Sequence, residues 1–362
     1  MGSTIFVIVV LARFFVPLAI PRFPLPAILA CLVIDAADQS IFQAFTDDPL
    51  PGYQAYDKAL DVFYLAIAYF SSMRNWREPA AFQVGRFLYL YRLVGVTLFE
   101  LLHWRWLLLV FPNTFEYFFI AYETVRTRWN PARLSVLAVV TMAVFITVFI
   151  KLPQEWWIHI AQLDFTDFMA DHPYLWFVLA GLVVAAGVVY WRYRTRLPVA
   201  DWAFTVDVDR HLPELPVGPH VSERFWSAVL LEKVVLLALI SVIFAQVLPD
   251  VSASNLGVAI GVTVLVVLNA SVTQFLRRRG RSWSSSAQEF AAMLVINTVI
   301  VTVDAVLGRG DEVPALNTLF FVVLLSLLIA LFDRFRATRE PDVARTRPIA
   351  TALAQWRSRS HA

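Results

Sequence analysis

The chain has one cysteine among its 362 residues, and Asp, Glu, Lys and Arg together make up only 16% of it. A lone Cys31 excludes a disulfide framework and a cysteine-rich metal site. Its three lysines, Lys58, Lys151 and Lys233, leave the seventh apolar run without a retinal-type buried lysine. No Gly-rich phosphate loop, nucleophile elbow or His-Glu-x-x-His motif occurs. The sequence therefore names neither a reaction nor a cofactor, and whether the protein is an enzyme stays open.

Apolar residues dominate what is present. The chain is 59% hydrophobic with a mean hydropathy of +0.64, whereas soluble domains are about half apolar and a quarter charged. This composition predicts an all-α polytopic integral membrane protein. Apolar runs of ~20 residues cross the hydrocarbon layer. We count about eleven, at 4–20, 26–45, 54–73, 81–103, 106–125, 133–152, 174–192, 225–247, 255–276, 287–308 and 315–333.

The distribution of arginine predicts an orientation. Arginines cluster in alternate connections, while the intervening loops are mostly acidic or neutral. The basic loops contain Arg74 and Arg77, Arg126 to Arg133, Arg192 to Arg196, Arg277 to Arg281, and Arg334 to Arg339. By the positive-inside rule these loops are cytoplasmic. An odd number of spans then places the N-terminus outside and the C-terminus inside the plasma membrane. Prolines between Pro17 and Pro26 leave a re-entrant pair as an alternative for the first two runs.

The runs divide the chain into parts. Residues 1–192 form a polar, aromatic seven-span N-terminal bundle, with an outer interfacial helix near 154–166. Residues 193–223 form a cytoplasmic Pro-rich linker to a four-span C-terminal unit at 224–336. The basic tail, 337–362, is expected to be disordered, with anionic lipid as its candidate partner. The lipid bilayer is the main partner, and no nucleic-acid partner is expected.

Aspartates interrupt the second and third runs. Six aspartates lie between Asp35 and Asp61, although an ionised side chain inside the membrane costs several kcal/mol unless it pairs or meets water. If runs two and three form a hairpin turning near Pro49, and runs one and two turn near Phe23, several polar residues fall at similar depths. We predict a cluster of Arg13, Asp35, Asp38, Gln39, Asp57, Lys58 and Asp61, with Arg13 paired to Asp35.

The balance of charge in this cluster leaves two interpretations open. Four acids meet two bases, so two acids are unmatched unless they hold protons, a cation or another partner. One interpretation is a binding site in the outer half of the N-terminal bundle. The other is an interhelical ion-pair network that only fixes packing.

A second polar set continues from the fourth run. It consists of Arg92, Glu100, His103, Asn113 and Glu116, a secondary polar path. The same depth argument pairs Arg86 with Glu123. A weaker metal hypothesis joins His103, His159 and Glu155 on the outer side, although their spacing matches no ligand motif.

Three functions are compatible with these patterns. The first is a transporter or permeation-type protein that binds a cation, a proton-coupled solute or a lipid head group at the acidic cluster. The second is an integral membrane enzyme acting on envelope lipids at the outer leaflet. The third is a non-catalytic membrane scaffold or assembly factor.

Overall fold

The computed structural model describes residues 2–45, 53–163, 168–169, 171–210, 228–247, 255–278, 286–306 and 315–337. Within these ranges the regular elements are all helical, which confirms the predicted class. Three helices are long and apolar enough to cross a membrane, at Val136–Ile160, Leu175–Arg196 and Val229–Val247. The count of eleven spans and their orientation stay predictions. The tail beyond Ala337 lies outside the described residues.

We number the helices in chain order. The first six are α1 (Gly2–Phe15), α2 (Pro24–Phe45), α3 (Tyr53–Asn75), α4 (Pro79–Leu102), α5 (Trp106–Val110) and α6 (Thr114–Arg126). The next are α7 (Val136–Ile160) and α8 (Leu175–Tyr193). The last four are α9 (Ala228–Val247), α10 (Asn255–Arg278), α11 (Ser286–Val306) and α12 (Ala315–Ala337).

Helix α3 is the centre of the fold. Nearly every side chain from Ala59 to Met73 is buried, as expected for a helix that is apolar all round and enclosed by others. Helices α1, α2 and α4 pack around it, and so do α9 and α12 from the C-terminal unit. Phe70 of α3 meets Phe332 of α12 edge to face, with ring centroids 5.6 Å apart. The C-terminal helices therefore pack directly on the N-terminal bundle.

The predicted fifth run is broken into two helices. Helix α5 ends at Val110 and α6 begins at Thr114. Pro112 explains the break, because it has no N–H to donate and it disfavours helical geometry in the residue before it. The thirteen residues of α6 rise only about 20 Å, which is less than a bilayer core. The run at 106–125 is therefore not one continuous helix.

Helix α7 extends further than the sequence predicted. Residues 154–160, predicted to lie in a separate interfacial helix near 154–166, continue α7 without a break. Pro153 interrupts the α-helical hydrogen bonding, and π-helical turns at Ile146–Lys151 and Trp156–Ile160 flank it. The wider turns keep the helix continuous across the proline. Residues 164–167, at the end of the predicted segment, lie outside the described part of the chain.

A buried amide network joins three C-terminal helices. Asn269 of α10 donates to Asn297 of α11 at 3.0 Å, and Asn297 donates to Ser326 of α12 at 2.8 Å. All three side chains are buried. Polar side chains of this kind hold helices together within a membrane.

We expect Asn297→Ala to lower the free energy of unfolding by about 1–2 kcal/mol, because it leaves the amide of Asn269 without its acceptor. Denaturant titration of the purified protein in detergent measures this change. Ser271→Ala is the matched control, since the Ser271 hydroxyl donates to Val267 of its own helix at 2.7 Å. Equal losses for the two variants would show that the network does not join the helices.

Candidate functional site

The predicted pair of Arg13 and Asp35 is confirmed, and it belongs to a larger cluster. Arg13 lies in the last turn of α1, and its Nη2 is 2.6 Å from an Asp35 carboxylate oxygen. The guanidinium also contacts the carboxylates of Asp57 and Asp61. These two residues are four apart on α3, so they share one helix face. We call these four residues the Arg13 cluster.

Burial differs across the Arg13 cluster. The Arg13 side chain is only 4% exposed, whereas the side chains of Asp35, Asp57 and Asp61 are 30%, 33% and 39% exposed. Carboxylate oxygens from the three aspartates lie within 4.8 Å of one another, a spacing that suits a cation. In the part of the chain that the structure describes, this is the one such group of three potential ligands. Three carboxylates therefore converge on one guanidinium within these four residues.

Lys58, also predicted for this cluster, lies elsewhere. Lys58 turns away and pairs with Glu100 at 3.3 Å, with its ammonium 5.7 Å from the centroid of the Phe99 ring. Its placement in the cluster was wrong, because a residue one position after Asp57 lies about 100° around the helix. The side chains of Asp38 and Gln39 lie outside the described residues.

A second set of polar side chains surrounds the break between α5 and α6. Glu116 lies in the first turn of α6, where a negative charge is favoured by the helix dipole. Its carboxylate accepts a hydrogen bond from the Tyr64 hydroxyl at 2.5 Å and one from the Asn113 amide at 2.9 Å. Tyr64 is three residues beyond Asp61, so the two lie on neighbouring turns of α3. Helix α3 therefore connects the Arg13 cluster to Glu116.

Helix α7 supplies the rest of this second set. The Glu155 carboxylate accepts from the backbone N–H of Asn113 at 2.9 Å and lies 3.5 Å from the Lys151 ammonium. His159 Nε2 is 3.0 Å from the other Glu155 oxygen. Both Lys151 and Glu155 are buried. Lys151 was missed as a site residue, although its i, i+4 spacing to Glu155 is a recognisable signal for an ion pair on one helix face.

Backbone groups freed by the helix break also have partners. Arg92 donates to the carbonyl of Phe111 at 2.9 Å, and the Tyr91 hydroxyl donates to the carbonyl of Val110 at 2.9 Å. Unpaired backbone groups inside a membrane cost several kcal/mol, so irregular backbone is tolerated where protein groups satisfy it. The predicted path residues Arg92, Asn113 and Glu116 therefore gather at this break.

The predicted pair of Arg86 and Glu123 is wrong. Arg86 pairs with Glu232 of α9 at 3.1 Å, and not with Glu123. Glu123 instead accepts from the Trp76 indole at 2.7 Å. The depth argument compared only neighbouring runs, and α9 is distant in sequence.

The three residues of the metal hypothesis do not form one group among the described residues. Glu155 and His159 are in contact, but His103 does not join them among the described potential ligands. His103 is exposed and ends α4 in a left-handed conformation with a φ of 54°. It therefore serves as the C-terminal cap of that helix. Glu100, the remaining residue of the predicted polar path, pairs with Lys58.

Two aromatic side chains of α3, and Trp76 directly after its end, each bind a buried glutamate. Tyr64 donates to Glu116, Tyr69 donates to Glu232 at 2.6 Å, and Trp76 donates to Glu123. The sequence analysis did not identify these pairs. Their signal is the placement of polar aromatic residues in a central buried helix, since a buried Tyr or Trp needs a hydrogen-bond partner.

No protein-family model, curated protein or solved structure matches this chain. Its function is therefore inferred from its own residues.

Proposed function

We propose that this protein is a multi-pass membrane transporter whose Arg13 cluster binds a proton or a cation. The observation that supports this proposal is the convergence of three carboxylates on one buried arginine, with their oxygens within 4.8 Å of one another. Carboxylates held this close repel one another and resist loss of water, which does not help helix packing. A proton or a cation relieves the repulsion.

The broken helix supports the same proposal. Discontinuous helices near the middle of the membrane form binding sites in many transporters. Here the residues just before α6 contact the half-buried Arg92 of α4 and the buried Glu155 of α7. The link through Tyr64 offers a route by which a change at the Arg13 cluster reaches this break. The proposed location is the plasma membrane, with the basic loops on the cytoplasmic side.

One observation favours an alternative enzyme. His159 is part-exposed and its Nε2 contacts the buried Glu155 at 3.0 Å, an arrangement that orients a histidine for general acid–base catalysis. Such an enzyme would act on lipids near the membrane surface. His159→Gln separates the two, because a lipid-acting enzyme would lose its activity while ion movement through the Arg13 cluster would persist.

Ion flux in proteoliposomes tests the transport proposal. Purified protein is reconstituted with a pH-sensitive dye inside, and a potassium diffusion potential or a gradient of Na⁺ is imposed with and without candidate solutes. We expect proton or cation movement above that of protein-free liposomes. Movement equal to protein-free liposomes under every gradient, with protein shown to be folded and inserted, would contradict the proposal.

A further inference from the structure

The segment after α8 crosses the arginine-bearing ends of the N-terminal helices. We call residues 198–209 the strap. Its backbone is bound to the loop after α6 and to the connection between α1 and α2. The main-chain hydrogen bonds are Asp201 N–H to Arg128 O at 2.9 Å, Thr205 N–H to Thr127 O at 3.1 Å, and Val208 N–H to Arg22 O at 3.1 Å.

Charge complementarity adds to these hydrogen bonds. The strap carries three aspartates, and each contacts an arginine of the N-terminal helices or their connections. Asp201 pairs with Arg133, Asp207 pairs with Arg22 at 3.2 Å, and Asp209 pairs with Arg74 and lies 3.8 Å from Arg22. The strap therefore pairs with Arg74 and Arg133, two of the arginines that the positive-inside rule assigns to the cytoplasmic surface.

The ion pairs of the strap with Arg22 and Arg133 involve largely exposed arginine side chains and are therefore weak. The side chains of Arg22 and Arg133 are 61% and 60% exposed, and exposed ion pairs are individually weak and screened by salt. Although burial acts in the opposite direction, hydrogen bonds from Arg22 and from the backbone N–H of Asp209 lower the pKa of Asp207. The carboxylate is therefore ionised at neutral pH. Val208 is the one buried residue of the strap, all of which the structure describes.

Packing beneath the strap is incomplete. A cavity of about 20 Å³ lies between the strap and the helices, lined by Glu123, Arg126 and Asp207 among others. It has room for about one water molecule. Arg126 lines this cavity, and its buried Nη2 has no hydrogen-bond partner among the described residues. The strap is thus held by ion pairs and hydrogen bonds rather than by a packed apolar interface.

We propose that the strap is an electrostatic latch, and that anionic lipid head groups release it by competing for Arg22, Arg74 and Arg133. The head-group phosphate offers these arginines the same kind of charge-assisted hydrogen bonds as the strap carboxylates. An anionic membrane surface concentrates that charge next to basic residues. The proposal does not depend on what the protein transports.

Thiol labelling measures opening of the latch. In a Cys31→Ala background, Val208→Cys places a thiol beneath the strap, and Ala203→Cys places one at an exposed strap position. The rate at which a neutral maleimide modifies each variant is measured in phosphatidylcholine nanodiscs and in nanodiscs that also contain phosphatidylglycerol. We expect the rate at position 208, divided by that at 203, to rise about fivefold with phosphatidylglycerol.

Three further arms separate the explanations. Asp207→Asn with Asp209→Asn in phosphatidylcholine should raise the ratio in the same direction, while Asp171→Asn, at an exposed acid outside the strap, should not. Arg22→Asp alone should raise the ratio. Adding Asp207→Arg, which exchanges the two charges, should return the ratio to its low value. Inorganic phosphate in phosphatidylcholine nanodiscs, compared with chloride at equal ionic strength, should leave the ratio unchanged.

The proposal is overturned if the ratio is the same in both lipids, because the strap would then be a fixed part of the fold. A rise caused by the double Asp→Asn variant but not by phosphatidylglycerol equally overturns release by lipid. An effect of inorganic phosphate as large as that of phosphatidylglycerol overturns the membrane surface as the competitor.

Discussion

Arg13→Ala is expected to lower the free energy of unfolding by about 3–5 kcal/mol, the usual cost of removing one partner from a buried ion pair. The reason is specific to this cluster. Arg13 is the buried centre on which Asp35, Asp57 and Asp61 converge, so its loss leaves three carboxylates facing one another. Denaturant titration of the protein in detergent measures the change.

Two variants make this result interpretable. Arg105→Ala removes an exposed arginine between α4 and α5 and should change stability by less than about 0.5 kcal/mol. Adding Asp35→Asn to Arg13→Ala should recover only part of the loss, because two carboxylates remain. If Arg13→Ala and Arg105→Ala had the same effect, Arg13 would not be the centre of the cluster.

Asp61→Asn is expected to abolish ion-dependent function while leaving the protein as stable as wild type or more stable. Asparagine has nearly the shape of aspartate but no charge, so it reduces the repulsion among the three acids. Asp35 and Asp57 still neutralise Arg13. Flux in proteoliposomes and unfolding in detergent report the two properties separately.

Asp171→Asn is the control for this substitution, since Asp171 is an exposed acid away from the Arg13 cluster. It should leave both flux and stability unchanged. Full flux in the Asp61→Asn variant, with stability equal to or above that of wild type, would indicate that the aspartates only fix helix packing.

The sequence predicted contacts well where two helices are joined by a short turn. Arg13 and Asp35 lie on consecutive helices, so counting residues from the turn places them at one depth. The predicted position of Lys58 was wrong because depth alone does not specify which face of the helix a residue occupies. Depth counting also says nothing about helices distant in the chain, which is why the contact of Arg86 with Glu232 was not foreseen.

Local helix geometry limited the prediction in a different way. The apolar run at 106–125 gave no sign in its hydropathy that it was broken, although Pro112 was a signal for it. Lys151 and Glu155 lie, buried, in a helix that contains π-helical turns. Such turns shift the helix face on which later residues lie. A periodicity of 3.6 residues therefore placed this segment at the surface.

The melting temperature across cations and pH tests most directly whether the Arg13 cluster is a binding site. A ligand that binds only the folded protein raises its melting temperature, and this holds without knowledge of the transported solute. The comparison covers Na⁺, Ca²⁺, Mg²⁺ and Zn²⁺, and pH from about 8 to about 5. We expect at least one cation, or acidification, to raise the melting temperature of the wild type, because either one relieves the repulsion among the three carboxylates. Asp61→Asn should lose most of that response, while Asp171→Asn should retain it. A wild-type melting temperature indifferent to every cation and to pH would contradict a binding site at the Arg13 cluster.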